Sequence, residues 1–435
     1  LSLHTFLLGF FELCIALSVI GLVSVASGFL ALIGIKIYDL LGPPHWRNSL
    51  PRAFVPEADL PHVLVQIPVF NEHEVAIGAM RCAAALDWPK DRLHIQILDD
   101  STDESVAMVA EAAIRLRDDG YLVEHRWRRD RTGFKAGALA EGLAGTKVPL
   151  IAMLDVDFRP PSHWLRDIVP ILLADPDAAF VQSRCEFSNY RTNWLTRVQG
   201  MMLDAHFVIE QAARFRGGWL FQFNGTGGIW RRDAIAEAGG WSSDSIVEDL
   251  DLTVRVGLAG WHGLFLMEPG IPGLVPDRIA HWRVQQRRWS TGFVEVARKL
   301  VPTIWHAPWS FAYKMSAMFL IFVQLFYPCA AVGFVSLFVC IALRHGNYAP
   351  YLPWLILIST LIVVIISGMT LLPYIALKRG SLWNYLSTVV MVAPAMLFLS
   401  LSNAPSILST AVGRSEGFKR TPKSTKAKDE HAGVS

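Results

Sequence analysis

The sequence predicts an α/β domain built on a mostly parallel sheet and inserted between transmembrane α-helices. Three observations carry this prediction. Of the 435 residues, 52% are hydrophobic and only 18% charged, with a mean hydropathy of +0.34, which is too apolar for an ordinary soluble chain. Long apolar stretches flank a charged segment that runs from Leu50 to Leu300. Inside that segment, β-rich runs alternate with stretches of helical apolar spacing, and the strands end on carboxylates.

Residues 8–35 hold a single acid, Glu12, and are long enough to cross a hydrocarbon layer of about 30 Å. With neither a basic start nor a small-residue cleavage site, this is a retained span; because the chain opens on Leu, residues ahead of it are expected. LPHVLVQIPVFNE (60–72) is the first strand, and EVAIGAMRCAAAL follows it with helical spacing. RLHIQILDDSTD is a second strand, ending on Asp99 and Asp100, and ESVAMVAEAAIRLRDD a second helix; YLVEHRWR is the third strand. After TGFKAGALAEGL, which carries Lys135, VPLIAMLDVDFRP forms a fourth strand that runs out into Asp155 and Asp157. Sheets of this kind bind ligands at the carboxyl ends of their strands, where both acidic groups lie. No G-x-G-x-x-G follows the first strand, which counts against a dinucleotide-dependent oxidoreductase.

Beyond the domain, apolar stretches fall near 315–343, 352–376 and 382–401, and the tryptophans of LVPTIWHAPWSFAY suit a segment lying in the membrane interface or, equally, the lead-in to the next span. Lys36, Arg47, Lys378, Arg379 and the basic tail should all face the cytosol by the positive-inside rule. Three crossings after a cytosolic domain would leave that tail outside. One stretch must therefore re-enter or lie in the interface, and 402–412, with Pro405, does not decide which. The expected organisation is a span over 1–40, a cytosolic domain over 50–300, an interfacial helix and spans over 301–414, and a basic cytosolic tail over 415–435. Cys14, Cys82, Cys185, Cys329 and Cys340 show neither disulfide nor metal spacing and read as buried free thiols. The net charge of +2 points to no nucleic-acid partner.

The strand-end carboxylates carry the chemistry. In an extended strand residues i and i+2 point the same way, so Asp155 and Asp157 can face one divalent ion and its diphosphate; the alternative is a solvated turn. Asp99 and Asp100 end a neighbouring strand, and the repulsion within such a set is relieved by a cation or by a nucleobase N–H donor. Lys135 and Arg131 either meet diphosphate oxygens or form a solvated basic turn. In FQFNGTGGIWRRDAI, Gly227 and Gly228 permit tight dihedrals or let the backbone approach a sugar. Glu248, Asp249 and Asp251 open an amphipathic helix, and Asp249 is the candidate general base for a hydroxyl that attacks an activated sugar.

LDDSTD, DVD, FNGTGG, VED and Q-x-x-R-W (Gln285, Arg288, Trp289), in that order, resemble the signature of family-2 inverting glycosyltransferases of the processive, membrane-embedded kind. QIPVFNE, FKAGAL, AGGW and QQRRWSTG bring the likeness nearest to plant cellulose-synthase-like mannan and glucomannan synthases, firmly over about 60–300. The resemblance implies a GT-A glycosyltransferase domain and a bacterial member of the cytoplasmic membrane. In it Asp100 holds the nucleotide base, Asp155 and Asp157 hold the diphosphate with Mg²⁺ or Mn²⁺, and Asp249 acts as base. Gln285, Arg288 and Trp289 sit where acceptor and donor meet. Trp289 can stack on a pyranose and Arg288 offset the leaving diphosphate, whereas the plain alternative is an anchor for an interfacial helix. The implied partners are a nucleotide sugar donor, GDP-mannose or UDP-glucose, a polysaccharide acceptor with translocation, and the lipid bilayer. A single transfer to a lipid such as ceramide, or to a lipid-linked acceptor, is the runner-up, and a transporter with a soluble module is third. An export partner and homo-oligomerisation stay open.

Overall fold

The computed structural model describes residues 2–41 and 50–414; Arg47 and the basic tail from 415 lie outside the described residues. A long helix α1 (Leu3–Leu41) leads into the domain. There follow β1 (Val63–Val69), α2 (His73–Ala84), β2 (Leu93–Asp99), α3 (Ser105–Asp118), β3 (Leu122–Trp127), α4 (Phe134–Leu143), β4 (Leu150–Met153) and α5 (Trp164–Ala174). The second half holds β5 (Ala178–Phe187), α6 (Trp194–Ala205), a π-helical turn (His206–Gln211), α7 (Ala212–Arg216), β6 (Gly228–Arg231), α8 (Arg232–Glu237), α9 (Glu248–Leu258) and β7 (His262–Gly273). α10 (Ile279–His306), α11 (Phe311–Phe322), α12 (Phe326–Leu343), α13 (Leu352–Ala376) and α14 (Leu382–Ala411) complete it.

The seven strands form one sheet in the order β3-β2-β1-β4-β6-β5-β7. Val63, Leu64, Val65 and Ile67 of β1 are all buried, the near-continuous apolar run of a strand covered on both faces. β1, β2, β3 and β4 pair in parallel as the alternation predicts, but β6 runs antiparallel to both β4 and β5, so the sheet is mixed. Two registers position the site. Val69 lies opposite Asp99 and Asp99 opposite Trp127, which sets the carboxyl ends of three strands side by side. Met153 lies opposite Gly228, so the antiparallel return brings the loop before β6 against Asp155.

Two local expectations change. β4 ends at Met153, and Asp155 and Asp157 stand in a turn closed by the Phe158 N–H donating to the Asp155 carbonyl at 3.0 Å, not along an extended strand. Lys135 is in the first turn of α4, not in a solvated basic turn.

Four helical segments among the described residues are long and apolar enough to cross a membrane: Leu3–Leu41, Phe311–Leu343, Ala349–Ala376 and Leu382–Ala411. Their ends are tied differently. Far from the sheet, Arg344 Nη2 and Tyr351 Oη both donate to Glu12 Oε1, at 2.7 and 2.9 Å. On the domain side, Arg216 donates to Asp39 at 2.8 Å and Arg379 makes a paired bridge to Asp204 at 2.8 and 2.7 Å. α14 therefore begins beside the domain. It also ends there, since Asn403 reaches Ser290 at 3.4 Å and Arg298 donates to the Thr410 carbonyl at 3.1 Å, both on α10.

Candidate active site

Lys135 organises the site. Its Nζ donates to Asp155 Oδ1 at 2.8 Å and to the Gly225 carbonyl at 3.0 Å, and it lies 3.4 Å from Glu248 Oε1. Burial alone would depress the ammonium pKa, but Asp155, Glu248 and Asp249 together outweigh it and hold the group raised and charged. Three carboxylates thus surround Lys135, and Arg288 is a second cation beside them.

Asp249 is half-buried, and burial, then Glu248, push its pKa up to about 7 against the opposing pull of Lys135 and the Leu250 N–H. The Leu250 N–H donates to Asp249 Oδ1 at 2.8 Å, which leaves Oδ2 directed toward Gly225 and Gln222. A half-buried carboxylate poised near neutrality is what a general base requires.

Gly225, rather than the two glycines picked out in the sequence, faces Asp249 and Lys135. It has φ +73, and a Cβ there would lie 3.1 Å from Asp249 Oδ2 and 3.4 Å from Lys135 Nζ. Gly227 also has positive φ, but it points at Cys185 and Ile271; a Cβ on Gly228 would meet Phe223 at 2.5 Å. The φ of +67 accounts for Gly227, and packing against Phe223 accounts for Gly228.

At the neighbouring strand ends, Asp99 is fully buried, accepting from the Ser101 N–H at 2.9 Å and bonding His125 Nε2 at 2.8 Å, so it shapes the strand end and presents nothing to a ligand. Asp100 is gripped by Arg128, whose Nε and Nη2 donate at 2.7 and 2.8 Å, while the Arg131 guanidinium lies 3.4 Å over the Phe70 ring. Arg128 was not among the predicted residues. Its two-pronged pairing depends on β3 lying beside β2, although a basic side chain one residue past a strand was a usable signal.

Asp157 is buried and accepts from the Leu274 N–H at 3.2 Å, whereas Asp155 keeps about a third of its side chain exposed. The partly exposed Asp155 offers hard carboxylate oxygens, the donor type a divalent cation takes. Among the described residues, no group of three or more His, Cys, Asp or Glu forms a closed metal site.

On α10, Gln285, Arg288 and Trp289 share one face at i, i+3 and i+4. Burial lowers the Arg288 pKa while Glu248, Asp155 and Asp249 oppose that fall, so its guanidinium looks onto the same acids as Lys135. Gln285 is buried, and Trp289 is partly buried against the apolar cluster of Val247, Leu250 and Val254 at α9. Glu248, Asp249 and Asp251 form the first turn of α9, and Asp251 is fully buried with Lys299 at 2.8 Å, a packing role.

The loop is held from the membrane side as well. His206 Nε2 bonds Asn224 Oδ1 at 2.9 Å and Gln211 Nε2 donates to the Gln222 carbonyl at 2.6 Å, both from the π-helical turn. Such turns recur at functional sites, and nothing in the local sequence pattern announces this one.

A family described as Glycosyl transferase family group 2 matches residues 150–410. The chain is 43% identical over 251 residues to Glucomannan 4-beta-mannosyltransferase 2 of Arabidopsis thaliana, covering 57% of this chain and 47% of that protein. It is 37% identical over 305 residues to Probable glucomannan 4-beta-mannosyltransferase 9 of Oryza sativa subsp. japonica, covering 67% and 58%. The chain spans about half the length of the curated relatives it matches. Among solved structures, Mannosyltransferase PcManGT from Pyrobaculum calidifontis, in complex with GDP-Man and Mn²⁺, superposes with a TM-score of 0.59 at 18% identity, over 90% of this chain and 99% of that one. The fold is GT-A-like, with long apolar helices flanking the sheet.

Proposed function

Since the chain belongs to glycosyl transferase family group 2, we propose that it transfers a hexose from a nucleotide sugar to a β-linked glycan acceptor by one inverting displacement. The observation that carries this is Asp249, pushed up to about 7 beside Lys135 and Gly225. The acceptor oxygen bonds to the anomeric carbon as the carbon–oxygen bond to the diphosphate breaks. The diphosphate leaves with the electron pair, and the acceptor proton passes to Asp249. Lys135 and Arg288 offset the charge of the leaving group, and Asp100 with Arg128 forms the end of the cleft that receives the base. Asp155 and Asp157 would hold Mg²⁺ or Mn²⁺, which when bound neutralises diphosphate charge. Gln285 and Trp289 line the acceptor side.

The names of the relatives favour GDP-mannose over UDP-glucose. Purified protein in nanodiscs, given Mn²⁺ or Mg²⁺ and radiolabelled GDP- and UDP-sugars, tests this reading. Label from one donor should enter a product that a matching β-glycanase digests. No incorporation from any donor, with no donor bound, would refute it.

The domain boundaries 1–40, 50–300 and 301–414 accompany this function, with a revised membrane disposition. α1, α12 and α13 cross, while α10, α11 and α14 lie along the domain-side face. The support is that α14 both begins and ends against the domain, and that Ser316 of α11 takes Arg214 Nη1 at 3.1 Å on its carbonyl. Three crossings leave Arg414, the last described residue, on the domain's side, where a basic residue suits the cytosol. Cysteines introduced at Trp383 and Tyr348 should label from opposite sides of sealed vesicles; labelling from the same side refutes this disposition.

A further inference from the structure

We propose that the acceptor is lipid-linked, and that its hydrocarbon chain occupies a cavity of about 750 Å³ among the membrane helices. This rests on the transferase reading for what happens at the head of the lipid, and on the cavity alone for where its chain goes.

The cavity runs beside α1, α12 and α13, from Ile15 and Trp354 at the far end to His206 and Glu210 beside the domain, with Leu22, Leu337 and Ile365 along its length. Its polar wall groups are mostly engaged already. Tyr351 Oη donates to Glu12, Thr370 Oγ1 to the Ile366 carbonyl, Ser400 Oγ to the Met396 carbonyl, and Tyr327 Oη to Gln286 Oε1. A glycan threaded here would exchange water for aliphatic walls, and each unpaired hydroxyl would oppose entry. A hydrocarbon chain meets no such opposition. Trp354 lines the far end of the cavity and is half exposed, as an aromatic side chain beside hydrocarbon is.

The polar end supplies the second half of the argument. His206 is bonded to Asn224, the residue before Gly225, and Gln324 accepts from Ser290, the residue after Trp289, at 3.1 Å. One end of an apolar cavity thus lies one hydrogen bond from the catalytic loop and one from the acceptor-side helix. A molecule with its tail among the spans brings its head to both. That molecule is a long-chain lipid carrying a sugar or hydroxyl, and the same walls disfavour the cavity as a glycan conduit.

The test uses the full chain in nanodiscs with soluble β-linked oligosaccharides and with alkyl β-mannosides and β-glucosides of rising chain length, kept below micelle formation. The kcat/KM should rise about two- to fourfold per added methylene. The cavity-filling variants Ala330→Phe and Ala393→Phe should flatten that rise while leaving transfer to soluble acceptor unchanged. In parallel, a dodecyl glycoside tipped with a diazirine should crosslink to cavity residues such as Met369 in wild type, and less in both variants. Active enzyme whose rate ignores chain length, or adducts confined to outward faces such as Val363, would overturn the lipid site and leave the transferase reading standing. Cavity adducts with no transfer to any acceptor would uphold the lipid site and overturn the transferase reading.

Discussion

Replacing Asp249 with Asn separates catalysis from stability at one atom. The amide keeps the shape and cannot take a proton, so turnover should fall by about 10²–10⁴, the range for loss of a general base, while donor affinity stays within a few-fold. Stability should move the other way. The native pKa is raised from 3.8 to about 7, so folding is favoured by the protonated form. That contribution is fully present below about pH 4 and is lost as pH rises through 7. Three pK units at 1.36 kcal/mol each give a ceiling of about 4 kcal/mol, and residual solvent access at the carboxyl reduces this to about 2 kcal/mol. At pH 8 the Asn variant should therefore melt about 5 °C above wild type, and at pH 4 the two should coincide. Scanning fluorimetry across that range, with single-turnover transfer on the same samples, measures both. A variant with wild-type turnover, or a melting gap that does not change with pH, would sink the assignment of Asp249 as a half-buried, elevated base.

Four further outcomes follow from the same cluster. Wild-type kcat/KM should climb with pH through an apparent pKa near 7, the deprotonation of Asp249, and a flat profile from pH 5.5 to 8.5 contradicts that. Lys135→Ala leaves Asp155, Glu248 and Asp249 without their common cation, so it should cost about 3 kcal/mol of stability and weaken donor binding at least tenfold by calorimetry; normal donor affinity would show that Lys135 meets no diphosphate. Gly225→Ala puts a Cβ 3.1 Å from Asp249 Oδ2 at φ +73, so kcat should drop more than tenfold for about 1 kcal/mol of stability, whereas Gly228→Ala should act chiefly on stability. Chelation should abolish turnover and Mn²⁺ restore it, with Asp155→Asn needing more Mn²⁺ than wild type; full activity in chelator would remove the metal from the scheme.

Much of this protein is legible in its sequence because the signals are local. Alternation of β-rich runs and helical spacing identified β1, β2, β3 and β4 with their helices, since side-chain period follows backbone geometry within a few residues. Composition marked the apolar helices, and the ordered motifs picked out Lys135, Asp155, Glu248, Asp249 and Arg288, which the fold brings to one cluster. What remained hidden depends on chain returns of tens to hundreds of residues. The antiparallel β6 decides that Gly225, not Gly227 or Gly228, faces Asp249; Arg128 becomes the partner of Asp100 only because β3 lies beside β2; and Asp99 is drawn inward by His125. Membrane disposition shows the same limit. Hydropathy counts α14 among the helices able to cross because it sums apolar residues along the helix, whereas the bonds on which the proposed disposition rests, at Arg379 near one end and Arg298 at the other, exist only once the domain, α10 and α14 have packed together.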